Sequence, residues 1–218
     1  MLALYSYWRS SASYRVRLGL NLKGLAYEYR PVHLLREGGE QHSPAYRALN
    51  PEGRVPLLLD GELRLGQSLA ILEYLDERHP QPPLLPADPA LRARVRQFAL
   101  ALACDVQPLI NLGVLQYLER EFAVPEPART TWLRHWMQRG LAALEQEIAD
   151  LPERAALFGD APGLADCCLV AQFYAARRFG LPLASFPRLT AVEARLQALP
   201  AIAAAHPDRQ PDAETAAR

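Results

Sequence analysis

The chain has 218 residues, half of them apolar, enough to bury one large domain or two small ones. Lysine plus arginine total 24 and aspartate plus glutamate total 24, so the formal net charge is zero. That balance removes any bulk electrostatic reason to expect a nucleic-acid partner or an anionic membrane surface.

The first eighty residues mix short β-type and helical runs. Residues 2–7 read as a strand. Ser10 and Ser11 offer helix N-caps, and Gly24 stops the helix after Lys23. Val16, Leu18, Leu20 and Leu22 leave that helix little polar face, which predicts burial. Residues 27–34 form a second predicted strand and 41–49 a short helix. Asn50-Pro51-Glu52-Gly53 is a turn signal. Strands over 56–59 and 62–65 flank Asp60-Gly61, a strong two-residue hairpin signal. Ser68 caps a helix over 68–78, with Ile71, Leu72 and Leu75 on one side. The order β-α-β-α-β-β-α predicts a mixed sheet with helices packed on it.

Prolines at 80, 82, 83, 86 and 89 then rule out a continuous helix. Residues 81–89 are read as a linker between a domain over 1–80 and a helical domain over 90–218. In the latter, Leu91, Val95, Phe98, Leu102, Val106 and Leu109 recur at helical spacing, with Pro108 as an interruption. Leu133, Met137, Leu141, Leu144 and Ile148 make a second stripe. Residues 165–178 and 188–199 make two more. The Ala- and Pro-rich tail after Pro200 is expected to fray. Cys104, Cys167 and Cys168 are odd in number and have neither disulfide nor zinc spacing, so no metal is expected. They suit a reducing compartment. No apolar run approaches a span of ~18 residues. Arg9 and Ser10 interrupt the N-terminus before a signal-type core can form. The expectation is a soluble cytoplasmic protein.

Three places carry candidate chemistry. The segment Arg9-Ser10-Ser11-Ala12 opens a helix, where N–H groups and the positive dipole end could stabilise a thiolate. Plain capping explains the serines equally well. Val55-Pro56 joins a turn to a strand and is a candidate cis bond, which would turn the Val55 main chain outward for pairing with a peptide. Gln67-Ser68 opens another helix and could receive a carboxylate.

Taken in order, Asn50-Pro51, Val55-Pro56 and Gln67-Ser68-Leu69-Ala70-Ile71 after a βαβ unit resemble the glutathione-binding domain of the glutathione transferase superfamily. The resemblance narrows at Arg9-Ser10-Ser11-Ala12-Ser13-Tyr14-Arg15-Val16-Arg17, which is similar to the zeta-class signature. Gln107-Pro108-Leu109-Ile110-Asn111-Leu112, Ala165-Asp166-Cys167-Cys168, Arg178-Phe179 and His206-Pro207 extend it over nearly the whole chain, up to Asp212.

The resemblance implies a fold of a thioredoxin-like α/β N-terminal domain plus an all-α C-terminal domain. It implies glutathione as cofactor, with Ser10 and Ser11 activating its thiol. Ser10, Ser11, Ala12, Arg15, Gln41, Val55, Gln67, Ser68, Gln107 and Asn111 would bind the tripeptide, and Arg9 and Arg178 the substrate carboxylates. Gln107 and Asn111, four apart on the long helix, would share one face and line the cleft between domains. The implied reaction is cis–trans isomerisation of a maleyl-type dicarboxylate in a cytoplasmic homodimer of tyrosine and phenylalanine breakdown. Thiolate addition makes the double bond single, and elimination restores it as trans. Maleylacetoacetate stands ahead of maleylpyruvate as substrate, because maleylpyruvate isomerases usually carry arginines where this chain has Leu112 and Gly113. A general transferase or dehalogenase, and a non-catalytic glutathione-binding protein, are the other readings.

Two departures stand out. The family's cysteine is Ala12 here, which excludes any reaction needing an enzyme thiol at that place. The family's threonine cap is Gly163, a cap only a few tenths of a kcal/mol weaker, with Asp166 still available to the first turn.

Overall fold

The structure is a computed structural model describing residues 1–214. By internal packing the chain forms two compact units, Met1–Leu84 with Ala198–Arg218, and Leu85–Gln197.

The first unit contains β1 (Leu2–Ser6), α1 (Ser11–Leu22), β2 (Tyr27–Pro31), α2 (Pro44–Leu49), β3 (Leu57–Asp60), β4 (Leu63–Leu65) and α3 (Ser68–Arg78). The sheet order is β2-β1-β3-β4. β1 pairs parallel with β2 and antiparallel with β3, and β3 pairs antiparallel with β4. Strand period two splits the apolar residues between two faces. Leu2, Leu4 and Leu58 pack with Val16 and Leu20 of α1 and with Ile71 and Leu75 of α3. Tyr7, Trp8, Val32, Tyr46 and Val55 form a second cluster. This is the mixed sheet with helices packed on it that the order of elements predicts, and the thioredoxin-like arrangement that the resemblance implies. The predicted short helix over 41–49 is split, a 3-10 turn at Glu40–His42 preceding α2, because Ser43 caps a new helix with Pro44 in its first turn.

α1 is buried from Ser13 to Leu20, as its sequence predicts. It lies so close to α3 that a Cβ at Gly19 would collide with Leu72 Cδ2. At its end Lys23 Nζ, itself buried, donates to the carbonyls of His79 (2.7 Å) and Pro82 (2.8 Å) and meets Asp76 at 2.7 Å. Lys23 thus ties the ends of α1 and α3 together.

The tail departs from expectation. The sequence predicts fraying after Pro200 and a helical domain running to 218. Instead α9 (Pro200–Ala204) packs on α1, with Ile202 and Ala205 buried, and the segment belongs with the first unit. Buried apolar contacts outweigh the Ala- and Pro-rich composition. Asn21 Nδ2 donates to the Ala201 carbonyl and Arg17 Nε to the Ala205 carbonyl.

The second unit is helical: α4 (Pro89–Leu100), α5 (Leu112–Phe122), α6 (Glu126–Glu147), α7 (Leu164–Arg178) and α8 (Pro187–Gln197). Val95, Phe98, Leu102 and Val106 are buried, as are Leu133, Met137, Leu141, Leu144 and Ile148, matching the stripes read from sequence. α7 is buried along almost its whole length. Its first turn is closed by Asp166, which accepts the Leu157 N–H (2.9 Å) and the Gly163 N–H (2.8 Å). Burial pushes this carboxyl up to about 6, against the lowering effect of those hydrogen bonds.

Two expectations fail here. The long helix is not continuous: after α4 come a π-helical segment (Ala101–Val106) and a 3-10 turn (Gln107–Ile110), and Asn111 is extended. Pro108 lacks the N–H that a continuing helix needs, so Gln107 and Asn111 do not share one helical face. The run Pro89–Phe122 is also long and apolar enough, by length and composition alone, to cross a membrane, contrary to the sequence expectation. Its buried stripe is a protein core stripe, packed against α6 and α7.

Candidate active site

The sheet topology gathers three of the sequence signals at one end of the first unit. β1 runs into Tyr7–Ser10 and the start of α1. β3 is antiparallel to β1, with Leu57 opposite Tyr5, so Val55-Pro56 enters the sheet where β1 leaves it. β4 runs back along β3, with Leu65 opposite Leu58, and delivers Gln67-Ser68 to the same end.

At the first signal Ser10 is the N-cap of α1, and its Oγ accepts the Ser13 N–H at 3.2 Å. A capping hydroxyl uses its oxygen as acceptor and keeps its own proton to donate. Tyr14 N–H is taken by the Ser10 carbonyl. Among the described residues the Ser11 and Ala12 N–H groups meet no acceptor and remain the open donors of the first turn. No acidic residue lies in that turn, so nothing there offsets the positive end of the helix. The donor set therefore fits an anion, and no protein thiol lies in that turn. Arg9, half-buried, holds its guanidinium 4.1 Å from the centre of the Trp8 ring.

The second signal is confirmed as geometry: the Val55-Pro56 bond is cis. The ladder with β1 begins at Leu57, so the Val55 main chain lies beyond it. The preceding Arg54 carbonyl is held by Tyr46 Oη (2.6 Å) and Asn50 Nδ2 (2.8 Å). Burial pushes the Tyr46 phenol up to about 12, so it stays a donor. Gln41 is buried beside this turn. A Cβ on Gly53, a glycine at φ +60, would sit 3.1 Å from the Gln41 carbonyl. Gln41 Nε2 reaches the Leu34 carbonyl at 3.4 Å, and its Oε1 meets no partner among the described residues.

At the third signal Ser68 is buried at the start of α3, and its Oγ accepts from Arg15 Nη1 at 3.1 Å. Arg15, 2% exposed, thereby joins α1 to the N-terminus of α3. Gln67 sits at φ 63, ψ 109, a backbone region that non-glycine residues avoid, and its Nε2 donates to Glu52 Oε2 at 2.9 Å. Simple capping does not require a Gln67 backbone in this region, which its surroundings must hold against the strain.

Gln107, Asn111 and Arg178 lie in the second unit. Gln107 is half-buried at the start of the 3-10 turn. Asn111 caps α5, its Oδ1 accepting the Gly113 N–H at 2.8 Å, which leaves its amide donors. Arg178 ends α7, exposed, with its guanidinium 4.9 Å from the Phe179 ring centre. Sequence reasoning missed Asp212, whose carboxylate reaches the Trp8 N–H from 204 positions away. No local pattern marks such a residue.

Residues 4–83 match the family described as Glutathione S-transferase, N-terminal domain. The chain is 52% identical to the maleylacetoacetate isomerase of Pseudomonas aeruginosa, over 98% of this chain and 99% of that protein. A solved maleylpyruvate isomerase, described as a bacterial glutathione S-transferase in the zeta class, superposes with a TM-score of 0.94 at 45% identity, covering 97% of this chain and all of that one. The chain belongs to the zeta class of the glutathione S-transferase family. The maleylacetoacetate isomerase of Anaeromyxobacter dehalogenans, solved with glutathione in its active site, is 52% identical with a TM-score of 0.87, over 98% of each chain. The α/β domain and the helical domain expected from the sequence are those of this family.

Proposed function

We propose that this chain is a glutathione-dependent cis–trans isomerase that converts maleylacetoacetate to fumarylacetoacetate. The observation that carries the proposal is the donor set at the start of α1. The Ser10 hydroxyl and the Ser11 and Ala12 N–H groups open that helix, and its first turn holds neither an acid nor a thiol. Such a set suits a sulfur anion brought by a ligand, and relatives named for this isomerisation support the choice. Glutathione, when bound, supplies a thiolate that adds to one alkene carbon and later leaves it, so that rotation takes place about a single bond.

The chain's residues do the rest. Ser10 donates to the sulfur, and the α1 dipole favours its deprotonated form. Val55 pairs its N–H and C=O with the tripeptide backbone. Gln67 and Ser68, at the start of α3, receive the γ-glutamyl carboxylate, with Arg15 behind Ser68 adding positive charge. Gln41 borders the Val55 turn, and Gln107 and Asn111 are amide side chains of the kind that bind a peptide. Arg9 and Arg178 each carry a guanidinium fork of the kind that binds a carboxylate, and each is a candidate for the substrate's. The protein acts as a homodimer in the cytoplasm, within tyrosine and phenylalanine breakdown.

The test is turnover at catalytic glutathione. Maleylacetoacetate or maleylpyruvate is offered and the enedione absorbance followed. Conversion of the first with glutathione constant is expected. Faster conversion of maleylpyruvate would reassign the substrate. Stoichiometric loss of glutathione would make the chain a transferase, and binding without turnover would make it a non-catalytic glutathione-binding protein.

A further inference from the structure

The C-terminal segment does more than cover α1. Asp212 spends both carboxylate oxygens on two different elements. Oδ2 accepts the Trp8 N–H at 3.1 Å and Oδ1 accepts the Tyr29 hydroxyl, on β2, at 2.6 Å. Beside it Ala213 packs on the cluster of Tyr7, Trp8, Val32, Tyr46 and Val55. Glu214 then meets His33 Nε2 at 3.1 Å and Arg36 at 2.9 Å. His33 Nδ1 accepts the N–H groups of Leu35 and Arg36, so Nε2 carries the proton and donates to Glu214.

The other side of the Trp8 peptide is held as firmly. Arg17, fully buried, donates Nη2 to the Trp8 carbonyl at 3.0 Å and Nη1 to the Tyr7 carbonyl at 3.4 Å and to Ser6 Oγ at 3.1 Å. The same Tyr7 carbonyl accepts the Ser10 N–H at 3.0 Å. Trp8 is thus gripped by Asp212 at its N–H and by Arg17 at its C=O, and Ser10 hangs from the peptide next to it. Moving Trp8 moves the hydroxyl that opens α1.

We infer that Asp212 is a positioning residue for the reaction: by accepting the Trp8 N–H it sets the Tyr7–Ser10 turn, and through it the direction in which Ser10 and the first N–H groups of α1 point at the ligand's sulfur. This rests on the reading of that turn as the thiolate site. The role requires no contact of Asp212 with ligand or substrate, since it acts through Trp8. Its own negative charge would oppose a thiolate, and Tyr29, Trp8 and Arg17 around it answer that charge locally. Geometry, rather than charge, is its contribution. Asparagine at this position keeps an acceptor for Trp8 and a donor for the Tyr29 oxygen, so it separates the two.

The experiment titrates the thiol of glutathione bound to the full chain, by thiolate ultraviolet absorbance, and records kcat/KM against pH. In Asp212→Ala the thiol pKa and the acid limb of the profile are expected to move up by about one pH unit, a roughly tenfold loss of thiolate at low pH. Glutathione affinity should change less. Asp212→Asn should restore the wild-type profile. Deleting residues 212–218 should reproduce the alanine result. An Asp212→Ala protein with a wild-type profile overturns the inference, and so does one that merely melts earlier with its profile unmoved. If Asp212→Ala does not fold, Tyr29→Phe, which frees one carboxylate oxygen, is read instead. A smaller shift in the same direction supports the role, and none overturns it. A wild-type protein whose bound glutathione titrates like the free tripeptide would remove the thiolate site itself, an outcome distinct from an unaffected variant.

Discussion

Arg15 reaches out of α1 and donates to Ser68 Oγ at the first residue of α3, 3.1 Å away, with both side chains buried. One hydrogen bond therefore couples two helix N-termini, the one proposed for the sulfur and the one proposed for the γ-glutamyl carboxylate. Ser68→Ala removes an acceptor from a buried guanidinium, which costs about 1 to 3 kcal/mol for a charged partner. Urea unfolding should show that loss, and calorimetry should show weaker glutathione binding. Unchanged affinity with reduced stability would leave Ser68 as a structural cap only.

Ser10 caps α1 and is proposed to donate to the sulfur, and a single substitution separates these two roles by magnitude. As N-cap it accepts the Ser13 N–H, and losing a cap costs about 1 kcal/mol. For a chain of this size that is a drop of roughly 2 to 4 °C in melting temperature. As a donor to developing or resident negative charge it is worth roughly 10²-fold in kcat. Ser10→Ala is expected to melt slightly early and to turn over about a hundredfold more slowly. A small melting change with full turnover would take Ser10 out of the chemistry.

The legible parts of this chain were those written in local periodicity. The order of strands and helices, the Ser10 cap, the burial of α1 and the Val55-Pro56 turn all follow from residues within a few positions of one another. Gln67 could be placed at the start of α3, but its positive φ depends on how β4 hands over to that helix, and a glutamine gives no hint of it. The break between Gln107 and Asn111 was signalled by Pro108. The size of the interruption, through a π-helical segment and a 3-10 turn, depends on packing against α6 and α7. By composition the tail is expected to fray. Its order comes from Arg17, Trp8 and Tyr29, all near the opposite end of the sequence.

Asp166 makes stability depend on pH in a direction opposite to that of a salt-bridged carboxylate. Burial raises its folded pKa to about 6, above the value of about 3.9 for an unfolded aspartate. Between those values the folded state holds more protons than the unfolded state, so the unfolding free energy falls as pH rises. Its contribution is fully present below about pH 4 and is lost as pH passes about 6. Asp166→Asn cannot ionise. Its stability curve, measured by urea unfolding from pH 4 to pH 7, should lack this downward slope while lying lower at acid pH, because one of the Leu157 and Gly163 N–H groups loses its acceptor. A parallel slope in wild type and variant would assign the pH dependence elsewhere.

Gly19 sits where α1 and α3 come closest, and the space for a methyl group there is already filled by Leu72 Cδ2. Leu72 is fully buried, and Leu84, whose Cδ1 lies 3.5 Å from the same Cβ position, is buried too, so Leu72 has little room to turn away. In an exposed helix Gly→Ala stabilises, through propensity, by about 1 kcal/mol. Here overpacking opposes it, at about 1 to 3 kcal/mol. The second effect is the larger, so Gly19→Ala is expected to destabilise the chain. Gly19→Ala combined with Leu72→Ala should recover part of the loss relative to the sum of the single changes, since the collision is then gone. The position also bears on the site. α1 and α3 carry the ends proposed to face the sulfur and the carboxylate, and forcing them apart stretches the Arg15–Ser68 bond. Glutathione affinity of Gly19→Ala should therefore fall with stability, and a double-mutant cycle with Ser68→Ala should give less than additive losses in binding. Additive losses would mean that the helix spacing and the ligand site are independent.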